Sequence, residues 1–466
     1  MELKNEYQQE EIAPRLTKLS FVMIGILVLI FLRLAFLQGI RGNFYHFFSE
    51  ENSIREIRQP AARGVVKDRH GVILADNRAA FDLVIIPQYV VNPDAVLKTL
   101  QGHFQMPMEE LQKIWKKRLR QPAFQPIPIM EDVSLDVVAW IKAHQNPWGI
   151  LSRSNDLRGV DIHLRFERDY PDGELASHVL GYVREVDAKK LKELKEERPG
   201  RYRAGDRIGV SGLESIWDEK IRGEDGTIQK VVNAVGREVS SSGMEGDLIH
   251  RQAVHGPHLQ LTIDAQLQKK ASSYLAGKTG AVVALDPNSG ASLVFFSAPS
   301  YDLNLMTGNQ RQSYWQMIAM SPKKYLLNRA IQGTYPSGSV YKIVTSLAAW
   351  GEKVLPAFQG VYCDGSVWFG SRNFHCWNKK GHGQVDFNRA LAVSCDSFFY
   401  NLGIKLGVDK LAKYATLLGL GTKTGIGLPN EKKGLVPTRE WKKRVYNQPW
   451  YDGENLSIAI GQGPNL

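Results

Sequence analysis

From Leu19 to Leu32 the chain reads LSFVMIGILVLIFL without one charged residue, and apolar character resumes after Arg33 through Leu37. A helix of about 20 apolar residues is what crosses a bilayer, since lipid offers the backbone no hydrogen-bond partners. Arg33 can snorkel toward the interface, and LRLAFLQGIRG offers no clear small-residue cleavage site. The segment therefore predicts an uncleaved transmembrane helix at 19–39 behind a cytoplasmic tail at 1–18. Positive residues decide orientation poorly, with Lys4, Arg15 and Lys18 before the span and Arg41, Arg55 and Arg58 after it. Having the whole bulk of the chain beyond the anchor predicts export.

That bulk is large. At 466 residues the chain has room for about three units with cores of their own. A hydrophobic fraction of 43% and a charged fraction of 23% exclude wholesale disorder and a many-span transporter. A net charge of +11 fits nucleic acid, an anionic membrane or an anionic wall polymer as neighbour, or plain solubility. The basic residues are scattered among acids, as in KKLKELKEERPGR from Lys189, and no nucleic-acid motif is present. No nucleic-acid partner is expected.

Along the chain, Arg63–Pro87 reads as short strands broken at His70-Gly71 and at Asp76-Asn77. Asn92 to Gln145 turns helical, with Leu111, Ile114 and Trp115 on one face of the stretch from Met108. Val160 to Val183 alternates again, and SGLESIWDEKIRG has the form of a capping box, Ser211 at the N-cap and Glu214 three residues on. A loop rich in Gly, Ser and His at 240–257 is the expected domain boundary. Beyond it LQLTIDAQLQKKASSYL gives a strand and a helix, and GAVVALDPNSGASLVFFS gives two strands joined at Asn288–Gly290, the start of a mixed α and β module.

Serine becomes a nucleophile when a neighbour takes its proton, and a lysine three residues on lies one helical turn along the same face. Such SxxK spacing arises by chance about twice in a chain this long. It occurs at Ser321–Lys324 and at Ser339–Lys342. Ser321 precedes Pro322 and reads as an N-cap with proline at the first helical position. Ser339 follows the turn Pro336-Ser337-Gly338 and opens SVYKIVTSLAAW, where Val340, Ile343, Val344, Leu347 and Ala348 form an apolar helical face.

YPSGSVYK resembles the first motif of the penicillin-binding proteins, whose signature set is SxxK, an SDN-like triplet and KTG. The blocks RGVVKDRHGVILADN, YPDGELASHVLGYV, GVSGLE, LTIDAQLQ, GAVVALDPNSG, SCDSFFYNLG, TGIGLPNE and SIAIGQG extend the resemblance to class B members along nearly the whole chain. SCD, GHG and PTREWKK followed by PWY look most like the elongation-type penicillin-binding protein 2 group rather than the division-type sister. The resemblance implies a multidomain fold: a single N-terminal transmembrane helix, a β-rich α+β pedestal at 40–257, and an α/β penicilloyl serine transferase module at 258–466. The protein would then face the periplasm from a bacterial inner membrane.

The same resemblance implies a peptidoglycan D,D-transpeptidase that crosslinks stem peptides through a Ser339 acyl-enzyme and is trapped there by β-lactams. Lys342 would handle its proton, Ser394 would pass a proton to or from an amine, and Asp396, where the generic pattern has Asn, would hold Lys342. The pedestal is similar to the part that meets a SEDS-class glycan polymerase similar to RodA. Two alternatives share the module, an inert anchor that activates the polymerase and a β-lactam sensor, although the pedestal blocks argue against the sensor.

All three cysteines, Cys363, Cys376 and Cys395, lie close together with His382 between the last two. Three thiolates and an imidazole complete a tetrahedral zinc site, and the rival is a Cys363–Cys376 disulfide with Cys395 free. Enzymes similar to penicillin-binding protein 2 can hold zinc beside the active site at positions matching these four residues, which favours zinc. His375 is the substitute ligand. The third motif is expected after GQG, where the chain has Pro464-Asn465-Leu466, so the module is expected to be incomplete. Lys278-Thr279-Gly280 and Lys423-Thr424-Gly425 both look like decoys for it.

Overall fold

A computed structural model of the protein describes residues 3–36, 54–120, 123, 125–144, 157–231, 250–307, 311–355 and 358–465. Leu3–Ala35 is a single helix of 33 residues, so the expected tail and most of the expected anchor share one element. Residues 37–39 of that anchor lie outside the described residues. Among the described residues no helix is long and apolar enough to cross a membrane. The uncharged run is nonetheless bare, with Phe21, Leu29 and Phe31 about two-thirds exposed or more.

The chain divides into two compact units that do not follow chain order. One comprises Met1–Ala62, Arg78–Glu167 and Gly223–Gly256, the other Arg63–Asn77, Arg168–Arg222 and Pro257–Leu466. Most of the expected boundary loop, 240–249, falls outside the described residues.

In the first unit the strands Ile54–Gln59, Gly226–Val231 and His250–Arg251 form an antiparallel sheet. The helix Pro93–Phe104 starts where the Asn92 side chain accepts from the Ala95 N–H, with Pro93 at the first helical position. It packs with Met108–Lys116 on the strand Ile127–Met130 around Leu100, Leu111 and Ile127, all essentially fully buried. Leu111 thus turns inward as its spacing predicts, with Ile114 and Trp115 packed against the same core.

In the second unit Val66–Lys67 pairs in parallel with Leu259–Gln260 and antiparallel with the start of the strand Ile73–Ile85. The predicted turn between them is held by Asp68, whose Oδ1 accepts from the N–H groups of His70 and Val72. The predicted break at Asp76-Asn77 does not occur, and the strand runs through it. Asn77 satisfies its amide within the strand by donating to the Arg63 carbonyl at 2.7 Å.

The predicted capping box is also absent, since Ser211 makes no side-chain cap to the helix Gly212–Ile216. Glu214 is buried and committed to two arginines instead, accepting from Arg63 Nη2 at 2.7 Å and from Arg168 Nε at 2.6 Å. Asp218 accepts from Arg63 Nη1 at 2.8 Å and from Tyr202 Oη at 2.8 Å. A buried charge is tolerated only when paired in this way, and pairing outcompetes a surface cap.

The same unit holds the predicted hairpin, Gly280–Leu285 with Ser292–Ala298, after the helix Ala265–Tyr274 capped by Asp264. Its largest core lies among the helices Lys342–Gly351, Asp396–Leu417 and Glu454–Ala459. Phe398, Phe399, Leu402 and Leu456 are fully buried there, each worth roughly 2 kcal/mol or more of hydrophobic stabilisation. Two small two-stranded sheets lie on the long helix, Val361–Cys363 with Gly383–Val385 and Ser366–Phe369 with Arg372–His375.

The expected apolar face of the helix after Ser339 is rotated. Tyr341, Val344, Thr345, Ala348 and Ala349 are buried, at the helical spacing of one inward stripe. Val340, Ile343 and Leu347 are exposed by 72, 56 and 43%. The small residues Ala348 and Ala349 admit the neighbouring helix, and that close approach fixes which face turns in.

Candidate active site

Ser339 sits in a short 3-10 turn, Gly338–Tyr341, that runs directly into the helix Lys342–Gly351. The turn is held from outside the helix, because the Gly338 N–H donates to the Gly461 carbonyl at 3.0 Å. Gly461 must be glycine: its φ is 70°, and a Cβ would lie 2.2 Å from the Gly338 carbonyl oxygen. The first glycine of GQG is therefore a seat for the nucleophile turn.

Lys342 is 1% exposed, and its ammonium turns to the second motif. Its Nζ donates to Asp396 Oδ1 at 2.6 Å, to Ser394 Oγ at 2.9 Å and to the Ser394 carbonyl at 2.9 Å, and it lies 5.3 Å from the centroid of the Phe399 ring. Ser394 Oγ in turn donates to Ser339 Oγ at 3.0 Å. Lysine thus reaches the nucleophile through Ser394. Three donors on the ammonium meet three acceptors, which is what keeps a buried lysine affordable. Ser394 adopts φ 55°, a left-handed backbone uncommon for a residue with a Cβ, and this turn delivers its hydroxyl to the bridging position.

Ser321 stands apart. It follows the helix Arg311–Met320 rather than capping a new one, and opens a turn in which the Lys324 N–H donates to the Ser321 carbonyl at 3.0 Å. Pro322 serves the second turn position, and Lys324 at φ 50° stops any helix from starting. Of the KTG strings, Lys278-Thr279-Gly280 leads into the hairpin strand at Gly280, and in Lys423-Thr424-Gly425 the Thr424 hydroxyl and N–H both donate to Glu431.

The profile described as the penicillin-binding protein dimerisation domain matches residues 58–261, and that of the penicillin-binding protein transpeptidase domain matches 280–466. The chain belongs to the penicillin-binding proteins. Among relatives of this family, the peptidoglycan D,D-transpeptidase MrdA of Haemophilus influenzae is 30% identical over 99% of the chain and 69% of its own length. The protein of the same name from Escherichia coli K12 is 30% identical over 99% of the chain and 72% of its own length. A solved complex of penicillin-binding protein 2 with MreC from Helicobacter pylori matches with TM-score 0.74 and 28% identity, over 88% of this chain and 74% of that one. A chain from a peptidoglycan synthase complex that coordinates polymerization and crosslinking matches with TM-score 0.65 and 29% identity, over 97% and 74%. The multidomain fold, dimerisation domain followed by transpeptidase domain, is that of class B penicillin-binding proteins.

Beside the motifs of this penicillin-binding protein, Cys363, Cys376, His382 and Cys395 bring one ligand atom each to within 4.8 Å of one another. His382 Nδ1 lies 3.7 Å from Cys363 Sγ and 3.6 Å from Cys376 Sγ. The three cysteines are free thiols. Burial pushes the Cys395 thiol up to about 12. For Cys363 burial is outweighed by hydrogen bonds from Ser397 and the backbone at His382 and Gly365, and its pKa falls to about 6. Three sulfurs and an imidazole nitrogen converging in a buried pocket have little hydrogen bonding to offer one another, and the donor set fits a tetrahedral zinc ion. His375 lies on the strand edge, exposed and outside this cluster.

Sequence spacing does not reveal Trp377, whose N–H donates to Asp396 Oδ2 at 3.0 Å, nor the Phe399 ring beside Lys342. Their only signal is adjacency, Trp377 to Cys376 and Phe399 to the SCD triplet.

Proposed function

We propose that this penicillin-binding protein crosslinks peptidoglycan by acyl transfer through Ser339. Ser339 Oγ attacks the penultimate D-alanine carbonyl of a stem peptide, the Oγ–C bond forms, and the C–N bond to the terminal D-alanine breaks. Attack requires Lys342 in its neutral amine form, which takes the Ser339 proton by way of the Ser394 hydroxyl and returns it by the same route to the departing amine. An amine of a neighbouring stem then takes the acyl group and frees Ser339. A β-lactam opens by the same attack and stays attached. The observation that carries this reading is the chain of hydrogen bonds from Lys342 through Ser394 to Ser339, 2.9 and 3.0 Å, inside a matched transpeptidase domain.

Asp396 holds Lys342 in line. Cys363, Cys376, His382 and Cys395 hold a zinc ion whose contribution is structural, tying the small sheets to the start of the long helix. The bare apolar run Leu19–Leu32 anchors the protein in the bacterial inner membrane with the catalytic unit outside. The partner is a glycan polymerase of the SEDS class, a reading supported in its coarser form by likeness to a chain of a peptidoglycan synthase complex that coordinates polymerization and crosslinking, and likeness to the MreC-bound protein supports a partner of that kind.

Crosslinking of synthetic glycan strands by the purified protein in lipid is the test, with release of D-alanine measured alongside. The protein should form crosslinked dimers and Ser339→Ala should not. Polymerase stimulation by Ser339→Ala with no crosslinking by either form would replace the enzyme reading with the inert activator.

A further inference from the structure

Trp377 follows Cys376 and is unusual in being 65% exposed while both of its N–H groups are engaged. Its backbone N–H donates to Asp396 Oδ2 at 3.0 Å, and its indole Nε1–H is shared between the carbonyls of Val393 and Ser394, each at 3.1 Å. These three acceptors bracket the turn that presents Ser394. The indole also leans on His382, with ring centroids 5.2 Å apart.

A side chain left so exposed contributes little by burial, so its contribution lies in what its N–H fixes. The object fixed is strained, because a left-handed serine persists only where its surroundings over-determine it. Two donors hold the Ser394 carbonyl, Lys342 Nζ at 2.9 Å and the Trp377 indole. With the indole donor gone, that peptide plane is free to tilt, and the Ser394 hydroxyl leaves its place 2.9 Å from Lys342 Nζ and 3.0 Å from Ser339 Oγ. We infer that Trp377 is a positioning residue for acyl transfer, a strut that carries the geometry of the cysteine–histidine cluster to the Ser394 turn. The inference rests on the roles proposed for Ser339 and Ser394.

Trp377→Phe keeps a ring against His382 and removes only the indole donor, while the backbone bond to Asp396 remains in any variant. Stopped-flow acylation of the intact protein by a fluorescent penicillin separates the encounter constant from the acylation rate constant. In Trp377→Phe the rate constant should fall about tenfold, the scale of one hydrogen bond, with the encounter constant, zinc content and melting temperature unchanged. Trp377→Ala should fall at least as far. Acylation of Trp377→Phe at the wild-type rate overturns the strut, as does a loss that appears only together with lost zinc or a lowered melting temperature. Ser339→Ala is run beside them: if it still acylates, the nucleophile assignment fails and the strut with it, and if it does not, the Phe variant judges the strut alone.

Discussion

Two SxxK quartets, at Ser321 and Ser339, have the same spacing and opposite settings. At Ser339 the lysine is buried and bonded to Asp396 and Ser394, and the serine shares a hydrogen bond with Ser394. At Ser321 the quartet is a turn whose lysine carbonyl, with that of Lys323, is held by the Arg329 guanidinium at 3.2 and 2.8 Å. Just beyond it, His178 Nε2 bonds to the Tyr325 carbonyl at 2.7 Å. One quartet has its side chains gathered by the fold and the other has its backbone gathered. Spacing puts a lysine within reach of a serine only if a helix carries both, and chemistry follows only if a third group brings them into one hydrogen-bonded chain.

The comparison breaks most sharply at the lysines. Lys342→Ala should lower the penicillin acylation rate by about 10³-fold or more, the range lost with a proton-handling group, whereas Lys324→Ala should stay within about twofold. Equal effects would erase the distinction between the two sites. A smaller effect is expected at the cluster that braces the Ser394 turn. Cys376→Ser should release about one zinc per chain by elemental analysis and destabilise the protein by about 2–4 kcal/mol in thermal unfolding. Retained zinc would remove Cys376 from the ligand set, and unchanged stability would remove the metal's structural role. The smallest effect belongs to the structural quartet. Burial, against a raising bond to Tyr325 and with help from Arg329, holds His178 down at about 4 from an ordinary 6.5. A base depressed in the fold is neutral in both states above pH 6.5, so stability is full there and declines as pH falls from 6.5 through 4. In His178→Gln that part of the acid sensitivity should flatten in urea titrations across this window, with acylation unaffected. An unchanged slope would show that His178 titrates freely.

Much of this was legible in the residues. SxxK at Ser339, the SCD triplet and the cysteine–histidine group are all brought together, SxxK and SCD at the starts of two packed helices and Cys363, Cys376 and His382 at the ends of short strands beside them. The periodicity also gave the helix face of Leu111 and the hairpin after Gly280. What stayed hidden depends on distant partners. Glu214 reads locally as half of a capping box, yet arginines far along the chain claim it. Asp76-Asn77 reads as a turn until the Arg63 carbonyl satisfies Asn77. Of the apolar face expected after Ser339, Val344 and Ala348 turn inward but Val340, Ile343 and Leu347 do not, because Thr345 and Ala349 take the close helix packing instead. Gly461 supplies no side chain to read, and its seat under the Gly338–Ser339 turn exists only in three dimensions.

The central claim is that one serine of the two is the nucleophile, because only Ser339 is joined to a lysine through Ser394. Peptide mass spectrometry of the protein after reaction with a penicillin tests it most directly. The account predicts a penicilloyl adduct on Ser339 and none on Ser321, with no adduct at all in Ser339→Ala. An adduct on Ser321, or on any serine of the Ser339→Ala variant, would contradict it.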